Sequence, residues 1–408
     1  MKRVGFVLVA LVGAVATLAN TASAVTIGSA PGLAAGTTGG GNAAPVYPKN
    51  IAELKAYLSD SQPRVIYLNK VFDFRNTEGK KTEPGCRPLA HRQCLAKKNG
   101  FKGQDVILQS GGMANTGGCI EGTSVTVTYD VAGTKNPLQI TDNKTVRGIG
   151  SAGVIIGKGI WINGNNVIIQ NIHITNLNPH LVWGGDAIYL QGKNGGSTPM
   201  EKIWIDHVHV SLIGRQMMTT NAASVKSMTI SNSEFDGRTP WSSSCDGRHY
   251  WTFIFHGTQT RISLIRNYVH HTSGRSPKFG GSTDAKTDVV AHAVNNYWAD
   301  NSGFSFDVAD KGFVLIEGNY FESTAVPNLH DSTTKGAAFV PTASNQALCK
   351  ANLGRACELN VLASSGALTG AKDSTAIARL KGLAAGYTPV AAKKLNKVTT
   401  NFGIGALK

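Results

Sequence analysis

The amino-acid sequence predicts an all-β protein, a right-handed single-stranded parallel β-helix with long loops that form a groove. From about residue 64 to residue 323, short apolar runs recur, and each closes on a polar residue, usually asparagine. The closing positions lie 23 to 36 residues apart, as expected for a solenoid whose insertions emerge from a fixed coil. A hairpin-built β-sandwich is the alternative, but its Asn-Gly or Asp-Gly turns are few here. The closing residues are Asn171, His207, Asn232, Asn267, Asn296 and Asn319.

The first 24 residues have the pattern of a secretory signal peptide. Lys2 and Arg3 precede an apolar run, and small residues with Ala-x-Ala spacing end at Ala24. We therefore expect cleavage after Ala24 and secretion of the mature chain. No later stretch has the roughly eighteen apolar residues of a membrane span, so the sequence predicts no membrane partner.

The remaining chain divides into three predicted parts. Residues 25–45 are rich in Gly and Ala and predict a loosely packed N-terminal segment. Residues 46–345 are predicted to form the β-helix domain. The helical apolar spacing of residues 51–58 predicts a short helix that caps this domain. Residues 346–408 lack the repeat, and we expect this tail to pack on the outside of the β-helix.

The repeat predicts both the bend between sheets and the face that carries the long loops. The repeated asparagines should stack at a bend, because their side chains bond the backbone and tolerate left-handed φ. Long loops at 178–202 and 236–261 should emerge on one face, where loops on a rigid scaffold build a binding groove.

Six cysteines follow the signal peptide. An even number in an exported chain predicts three disulfides but leaves fifteen pairings open. A zinc site is disfavoured, because no cysteine pair has Cys-x-x-Cys spacing. The cysteines are Cys86, Cys94, Cys119, Cys245, Cys349 and Cys357.

The chain carries a formal charge of +15. A basic exported protein concentrates near polyanions, and outside the cell these are acidic polysaccharides. Nucleic acid is a disfavoured partner, because the lysines and arginines are scattered and form no nucleic-acid-binding motif.

Polar residues that could carry chemistry follow three predicted strands. Asp186 follows a glycine pair, Arg215 follows one strand, and Arg275 and Lys278 follow another. If the coils stack in register, an acid and three cations converge on one groove. Each has a simpler interpretation as a turn residue or a surface ion pair, which is worth little.

Aromatic residues are the second ingredient of a sugar groove, because a flat ring suits the apolar face of a pyranose. Those in the two loop regions are predicted to bind substrate: Trp183, Trp241, Tyr250 and Trp251. Those inside strand patterns are predicted to be core: Trp161, Trp204 and Trp298.

Several long motifs arrive in a fixed order along the chain. They are FDFRNTEG (72–79), GSAGVIIGKG (150–159), WGGDAI (183–188), WIDH (204–207), IGRQ (213–216), CDGRHYW (245–251) and SGRSPK (273–278). This series resembles the pectin lyases, the calcium-independent branch of the pectate lyase superfamily. The resemblance runs from about residue 45 to the C-terminus and weakens after Asn328.

The resemblance implies a secreted, endo-acting enzyme that cleaves methyl-esterified α-1,4-polygalacturonate by β-elimination, giving 4,5-unsaturated oligogalacturonides. It implies a monomer that needs no cofactor. It places the catalytic arginine at Arg275 and assigns Arg215, Asp186 and Lys278 to the groove. The implied disulfides are Cys86–Cys119, Cys94–Cys245 and Cys349–Cys357.

The resemblance also implies that no metal takes part. Related pectate lyases bind calcium through an Asp-rich turn, but residues 214–218 read Gly-Arg-Gln-Met-Met and offer no carboxylate. A guanidinium would take the place of the ion. Arg215 and Lys278 could then stabilise the negative charge that develops on the ester. Arg275 would be the base, although a free guanidinium has a pKa above about 12.

Two alternatives remain open at this stage. A calcium-dependent pectate lyase would share the fold but lose activity with a chelator. A non-catalytic polysaccharide-binding β-helix would need the repeats but not the convergent Asp186, Arg215, Arg275 and Lys278.

Overall fold

The computed structural model covers most of the chain. The residues that it describes are Met1, 28–220, 224–331, 334–396 and 402–407. The predicted signal peptide therefore lies outside the described residues, apart from Met1. In the described part, no helix is long and apolar enough to cross a membrane.

Three parallel sheets run along the described part of the chain, and each coil visits the first, third and second sheets in turn. The first sheet contains Pro45–Val46, Arg64–Leu68, Lys144–Gly148, Val167–Gln170, Ile203–Asp206, Met228–Ser231, Thr260–Ile265, Val289–Val294, Gly312–Glu317 and Ala337–Phe339. The second contains Leu138–Ile140, Ile160–Ile162, Ile188–Leu190, Met218–Thr219, Phe253–Phe255, Lys278–Phe279, Phe304–Val308 and Val326–Asn328. The third contains Val71–Asp73, Val154–Ile156, His173–Leu177, His209–Ile213, Glu234–Asp236, Tyr268–His270, Tyr297–Ala299, Tyr320–Glu322 and Val361–Ala363. The predicted right-handed parallel β-helix is confirmed.

Alternating apolar residues of each strand fill the space between the three sheets. In the first sheet, one inward column pairs residue to residue through eight coils, and every member is buried. Stacking identical positions gives each side chain the same neighbours above and below, so the core extends along the whole solenoid. The column is Ile66, Val146, Ile169, Ile205, Ile230, Leu264, Ala293 and Ile316.

The bend after the first sheet contains an asparagine ladder. Asn267, Asn296, Asn319 and Asn360 stack, and each of the first three donates its backbone N–H to the side-chain oxygen of the next at 2.9 Å. The left-handed position lies one residue earlier, at Arg266, Asn295 and Gly318.

The sequence pattern did not distinguish the left-handed position from the position of the stacked asparagine. In the earlier coils the aligned polar residues Asn171, His207 and Asn232 occupy the left-handed position, with φ of 58°, 51° and 47°. In the later coils Asn267, Asn296 and Asn319 occupy the next position, where the amides stack. The closing residues are therefore offset by one position between the two halves of the solenoid.

The N-terminal segment packs on the outer face of the first sheet instead of forming the loosely packed entry that its composition suggested. Backbone N–H groups of its residues 30–41, the N-terminal strap, donate hydrogen bonds to side-chain oxygens of several coils. Backbone N–H groups of Ala34, Thr38 and Gly40 donate to Thr229 Oγ1, Asn166 Oδ1 and Thr145 Oγ1 at 3.0, 2.8 and 3.0 Å. The strap also covers Ile168 and Trp204, so Trp204 is buried on the outer face of the sheet.

The helices cover the ends and sides of the β-helix. The predicted cap helix at 51–58 is confirmed as Ile51–Ser59, and Asn50 caps it by accepting from the backbone N–H of Glu53 at 2.9 Å. The other α-helices are Leu89–Lys97, Val131–Thr134, Gln346–Leu353 and Ser374–Arg379. The 3₁₀ turns are Gly32–Ala34, Gly112–Asn115, Asn194–Gly196 and Ala384–Gly386.

A smaller sheet forms a lobe beside the second and third sheets. Residues 80–130, the side lobe, contain its strands Lys80–Arg87, Asp105–Ile107 and Thr123–Asp130, and Leu181–Val182 completes the sheet. The Cys86–Cys119 disulfide closes the lobe, and Cys94–Cys245 ties it to the β-helix.

The C-terminal tail packs on the outside of the β-helix but also contributes to it. Val361–Ala363 pairs with Tyr320–Glu322, and Asn360 continues the asparagine ladder. The solenoid thus takes one strand from beyond the predicted boundary at residue 345. The third disulfide, Cys349–Cys357, lies in this tail, so all three pairs that the resemblance implied are formed.

Candidate active site

Two neighbouring coils bring Asp186 and Arg215 together. The backbone N–H of Arg215 donates to the carbonyl of Gly185 at 3.0 Å, and that of Gln216 donates to Asp186 Oδ1 at 2.8 Å. The turn before Arg215 packs tightly, because a Cβ at Gly214 would lie 2.6 Å from the carbonyl oxygen of Leu181. The in-register stacking of the coils therefore brings Asp186 and Arg215 together, as predicted.

The two arginines pack on a shared set of aromatic rings. The Arg215 guanidinium lies 3.5 Å from the ring centroid of Trp183 and 5.9 Å from that of Trp251. The Arg275 guanidinium lies 4.8 Å from the ring centroid of Trp251 and 5.6 Å from that of Tyr250. Trp251 stands between the two cations, and cation–π attraction holds both in place.

Local backbone geometry directs these side chains. Trp183 and Arg275 both have left-handed backbone, with φ of 70° and 47°, a conformation that clusters at functional sites. Gly274 lets the Tyr250 ring approach, because a Cβ there would lie 2.4 Å from the ring. The glycine before Arg275 thus shapes the aromatic wall as well as the turn.

Burial and charge act in opposite directions on this cluster. Burial raises the pKa of the Asp186 carboxyl, and the nearby Arg215 charge and the Gln216 N–H oppose that rise. Burial lowers the pKa of the Arg215 guanidinium; Asp186 opposes this, and the charge of Arg275 adds to it. The two cations therefore repel each other in a site where water does little to screen them.

A cavity of about 380 Å³ opens beside the two arginines. Arg215 and Arg275 line one side of it together with Trp183 and Trp251. The opposite side comes from the side lobe and includes Pro88, Ala90, His91 and Val106. The side lobe, which the repeat pattern did not predict, therefore forms one wall of this cavity, which we call the arginine cavity.

His249 joins two residues of the arginine-lined wall of the cavity. Its Nε2 lies 2.7 Å from the carbonyl oxygen of Arg215 and 3.0 Å from that of Trp251. Carbonyl oxygens only accept, so Nε2 carries the proton. Burial lowers the pKa of His249 to about 4, which keeps the ring neutral at neutral pH.

Gln104 ties the side lobe to this arginine-lined wall. Its Nε2 donates to the carbonyl of Gly214 at 2.9 Å, and its Oε1 accepts from Trp251 Nε1 at 3.0 Å. Sequence reasoning missed His249 and Gln104. The only available signal was that His249 lies inside the CDGRHYW motif.

Two predicted site residues lie elsewhere. Lys278 is on the outer face of the second sheet, and its Nζ pairs with Asp307 Oδ2 at 2.8 Å; it does not line the arginine cavity. Trp241 lies near His180, with ring centroids 5.8 Å apart, and lines a separate cleft of about 500 Å³.

The core prediction for tryptophans is correct for Trp298 but not for Trp161. Trp298 is buried in the main core. Trp161 is only half-buried, because its strand places it on the outer face between inward-facing Ile160 and Ile162.

The residues at the turn 214–218 do not suit calcium. Arg215 places a cation beside Asp186, the carboxylate of this part of the site. No group of three or more His, Cys, Asp or Glu among the described residues could hold a metal ion. Calcium prefers several oxygen ligands, so the donor set here disfavours it.

Comparison with solved structures agrees with the fold. A pectate lyase from a Bacillus species, solved in complex with trigalacturonate, superimposes with a TM-score of 0.52 at 17% identity. The match covers 92% of this chain and 98% of that one. The fold therefore places the protein in the class of right-handed parallel β-helices.

Sequence comparison is more specific. The family model described as pectate lyase matches residues 105–407, so the chain belongs to the pectate lyase family. A protein named probable pectin lyase F-2 from Aspergillus terreus is 49% identical over 85% of this chain and 67% of its own. Pectin lyase B from Emericella nidulans is 41% identical over 96% of this chain and 97% of its own.

Proposed function

We propose that this protein is a secreted, endo-acting pectin lyase that cleaves methyl-esterified α-1,4-polygalacturonate by β-elimination and releases 4,5-unsaturated oligogalacturonides. The observation that supports it best is the arginine cavity, in which two guanidinium groups face walls of tryptophan and apolar side-lobe residues. Such a cavity suits a neutral ester better than a hydrated carboxylate with its metal ion. The relatives' names point to the same substrate.

The proposed reaction is an elimination across C4 and C5 of one galacturonate ester. A base removes the C5 proton, the C–H electron pair becomes the C4–C5 double bond, and the C4–O bond breaks. The departing sugar oxygen takes up a proton. Negative charge develops on the ester carbonyl during this step, so donors aimed at that oxygen lower the barrier.

Arg215 is the proposed donor to the ester. Its Nε is buried and has no hydrogen-bond partner among the described residues. A buried donor without a partner costs free energy, and a substrate carbonyl would satisfy it. Asp186 helps to hold the charge of Arg215, since its proximity raises the pKa of the guanidinium against the effect of burial.

Arg275 is the proposed base. Within the described residues its side chain has cation–π contacts but no carboxylate partner. The charge of Arg275 lowers the pKa of the nearby Arg215 guanidinium and Asp186 opposes this, so Arg215 is the member of the pair whose charge a carboxylate supports. Lys278, which forms an ion pair with Asp307 on the outer face of the second sheet, is the proposed supporting cation.

The test is the ultraviolet absorbance of the unsaturated product formed by the purified protein from highly methyl-esterified pectin. We expect the absorbance to rise at the same rate with added calcium and with a chelator. No rise under either condition would leave a non-catalytic binding protein. Loss of the rise with the chelator alone would indicate a calcium-dependent pectate lyase. Size-exclusion chromatography checks the proposed monomer, and the culture medium of an expressing host checks secretion.

A further inference from the structure

Trp161 and Tyr189 form an aromatic pair on the outer face of the second sheet, outside the arginine cavity. They are paired in register on adjacent strands, with ring centroids 4.7 Å apart and an interplanar angle of 48°. Both are half-buried, so part of each ring faces outward. Their neighbours Ile160 and Ile188 point inward and are fully buried, which fixes the opposite orientation of the pair.

A second, smaller cavity connects Trp161 with Arg215. It measures about 120 Å³ and is lined by Trp161, Trp183, Asp186 and Arg215 together with backbone-rich residues of the neighbouring turns. Trp183 and Arg215 also line the arginine cavity. The two cavities therefore share a wall and form one continuous surface from Arg275 to Trp161.

The register sets the direction and reach of this surface. The strand of Trp161 pairs with that of Tyr189, which pairs with Met218–Thr219, the strand that follows Arg215. Adjacent strands lie about 4.8 Å apart, so Trp161 lies about 10 Å beyond the coil of Arg215. A polysaccharide that crosses the arginine cavity parallel to the solenoid axis would meet the pair next.

We propose that Trp161 and Tyr189 form a sugar-binding platform for a part of the substrate chain beyond the sugars held by Trp183 and Trp251. This inference rests on the proposed function and adds a binding region for long substrates. Flat aromatic faces match the apolar face of a pyranose. Methyl-esterified sugars are neutral, so stacking them there does not bury a charge.

The test compares Trp161→Ala with the wild type on fully methyl-esterified oligogalacturonides of increasing length, followed by absorbance of the unsaturated product. On long substrates we expect KM to rise about three- to tenfold with kcat unchanged, the size expected for loss of one aromatic stacking contact. On oligomers too short to pass Trp183 we expect no change. Trp161→Phe should restore most of the long-substrate KM.

The control is Tyr47→Ala. Tyr47 also packs against another aromatic ring, Tyr67, at 5.4 Å, but it is exposed and lies outside the groove. It should leave KM unchanged at every length. An equal effect of Trp161→Ala on short and long oligomers, or no effect on either, would overturn the platform.

Failure of the proposed function can be told apart from failure of the platform. If the wild type forms no unsaturated product, the lyase assignment fails. Calorimetric binding of the same oligomers then tests the platform separately. Weaker binding of long oligomers by Trp161→Ala would support the platform, and equal binding of long oligomers by both proteins would refute it.

Discussion

Arg215 and Arg275 each follow a glycine in the sequence, but their surroundings in the structure differ. Arg215 lies close to the ring of Trp183, beside Asp186, and the carboxylate favours its charged form. Arg275 packs on Trp251 and Tyr250 and has no such carboxylate among the described residues. This asymmetry supports separate roles, with Arg215 binding the ester and Arg275 taking the proton.

The substitution Arg275→Lys should abolish turnover while leaving the fold and pectin binding largely intact. A lysine retains the positive charge but cannot lie flat on Trp251 and Tyr250 as the planar guanidinium does. Loss of a positioned base lowers kcat by a factor of order 10³. The unsaturated-product assay measures turnover, and calorimetry with methyl-esterified oligomers measures binding.

Arg75→Lys is the matched control for that substitution. Arg75 is more than half exposed and pairs with Asp73 at 2.6 Å, away from the arginine cavity. Its replacement should leave kcat unchanged. If Arg275→Lys retained wild-type turnover, Arg275 could not be the base.

The convergence of Asp186, Arg215 and Arg275 could be predicted from the sequence because each follows a strand, and parallel coils place strand ends side by side. The same reasoning placed Lys278 beside them, but Lys278 does not line the arginine cavity, and the strand pattern placed Trp161 in the core, but it faces outward. In the run Ile160-Trp161-Ile162 every residue is apolar, so polarity does not reveal which side chains face out. Lys278 belongs to a strand instead of the turn before it, so it pairs with Asp307.

At the scale of single elements, the bend after the first sheet does two jobs at adjacent positions. One residue takes left-handed φ, and the next stacks its amide on the coils above and below. Asparagine suits both jobs, so a pattern of recurring asparagines could not separate them. The hydrogen bonds do, since Asn296 joins the ladder whereas Asn295 bonds Gly318 and the tail residue Val390.

Asn296→Ala should lower the free energy of unfolding by about 2 to 3 kcal/mol without changing kcat of the folded enzyme. Asn296 is fully buried, accepts from Asn267 and donates to the carbonyl of Leu264 at 2.8 Å. The alanine variant leaves these buried groups without partners. Urea unfolding measures the change.

Asn352→Ala is the control for the ladder. Asn352 lies in the helix Gln346–Leu353 and donates to the carbonyl of Leu348 at 2.9 Å, but that contact is exposed. Its loss should cost less than about 0.5 kcal/mol. Equal effects of the two substitutions would show that the ladder does not stabilise the solenoid.

At the scale of the whole molecule, the repeat predicted the β-helix but not the parts that complete it. The side lobe carries antiparallel strands with no solenoid period, so nothing in the repeat indicated that it would roof the site. The strap and the tail together cover the outer face of the first sheet. The strap and the tail have no regular spacing of apolar residues, so their packing on this face could not be predicted from the sequence.

A buried carboxylate fastens the tail to the β-helix. Glu317 Oε1 lies 2.7 Å from His292 Nε2 and 2.6 Å from an Arg355 nitrogen, and its other oxygen accepts from the backbone N–H of Glu358. Burial alone would raise the pKa of Glu317, but the bonds from His292 and Arg355 outweigh it and hold the pKa at about 2.

This low pKa predicts how stability depends on pH. Because the folded-state pKa lies below the unfolded one, Glu317 contributes stability that is complete above its ordinary pKa and is lost as pH falls towards about 2. Glu317→Gln should lower the free energy of unfolding at neutral pH by about 3 kcal/mol and flatten this part of the pH profile. Thermal unfolding across acidic pH measures both effects. Exposed Glu201→Gln should match the wild type, and a Glu317→Gln profile as steep as the wild type would contradict the role of the carboxylate.

The strap offers a test of whether packing of the N-terminal segment stabilises the whole solenoid. Gly39 and Gly41 both have left-handed φ, 56° and 58°. A Cβ at Gly39 would lie 2.1 Å from Thr145 Oγ1, whereas a Cβ at Gly41 would meet nothing within 4 Å. Alanine at either position costs about 1 kcal/mol for the backbone, and at Gly39 we expect a further 1 to 3 kcal/mol, roughly, from displacement of the strap. Urea unfolding of Gly39→Ala and Gly41→Ala separates the two terms, and equal losses would mean that the strap adds nothing to the stability of the coils beneath it.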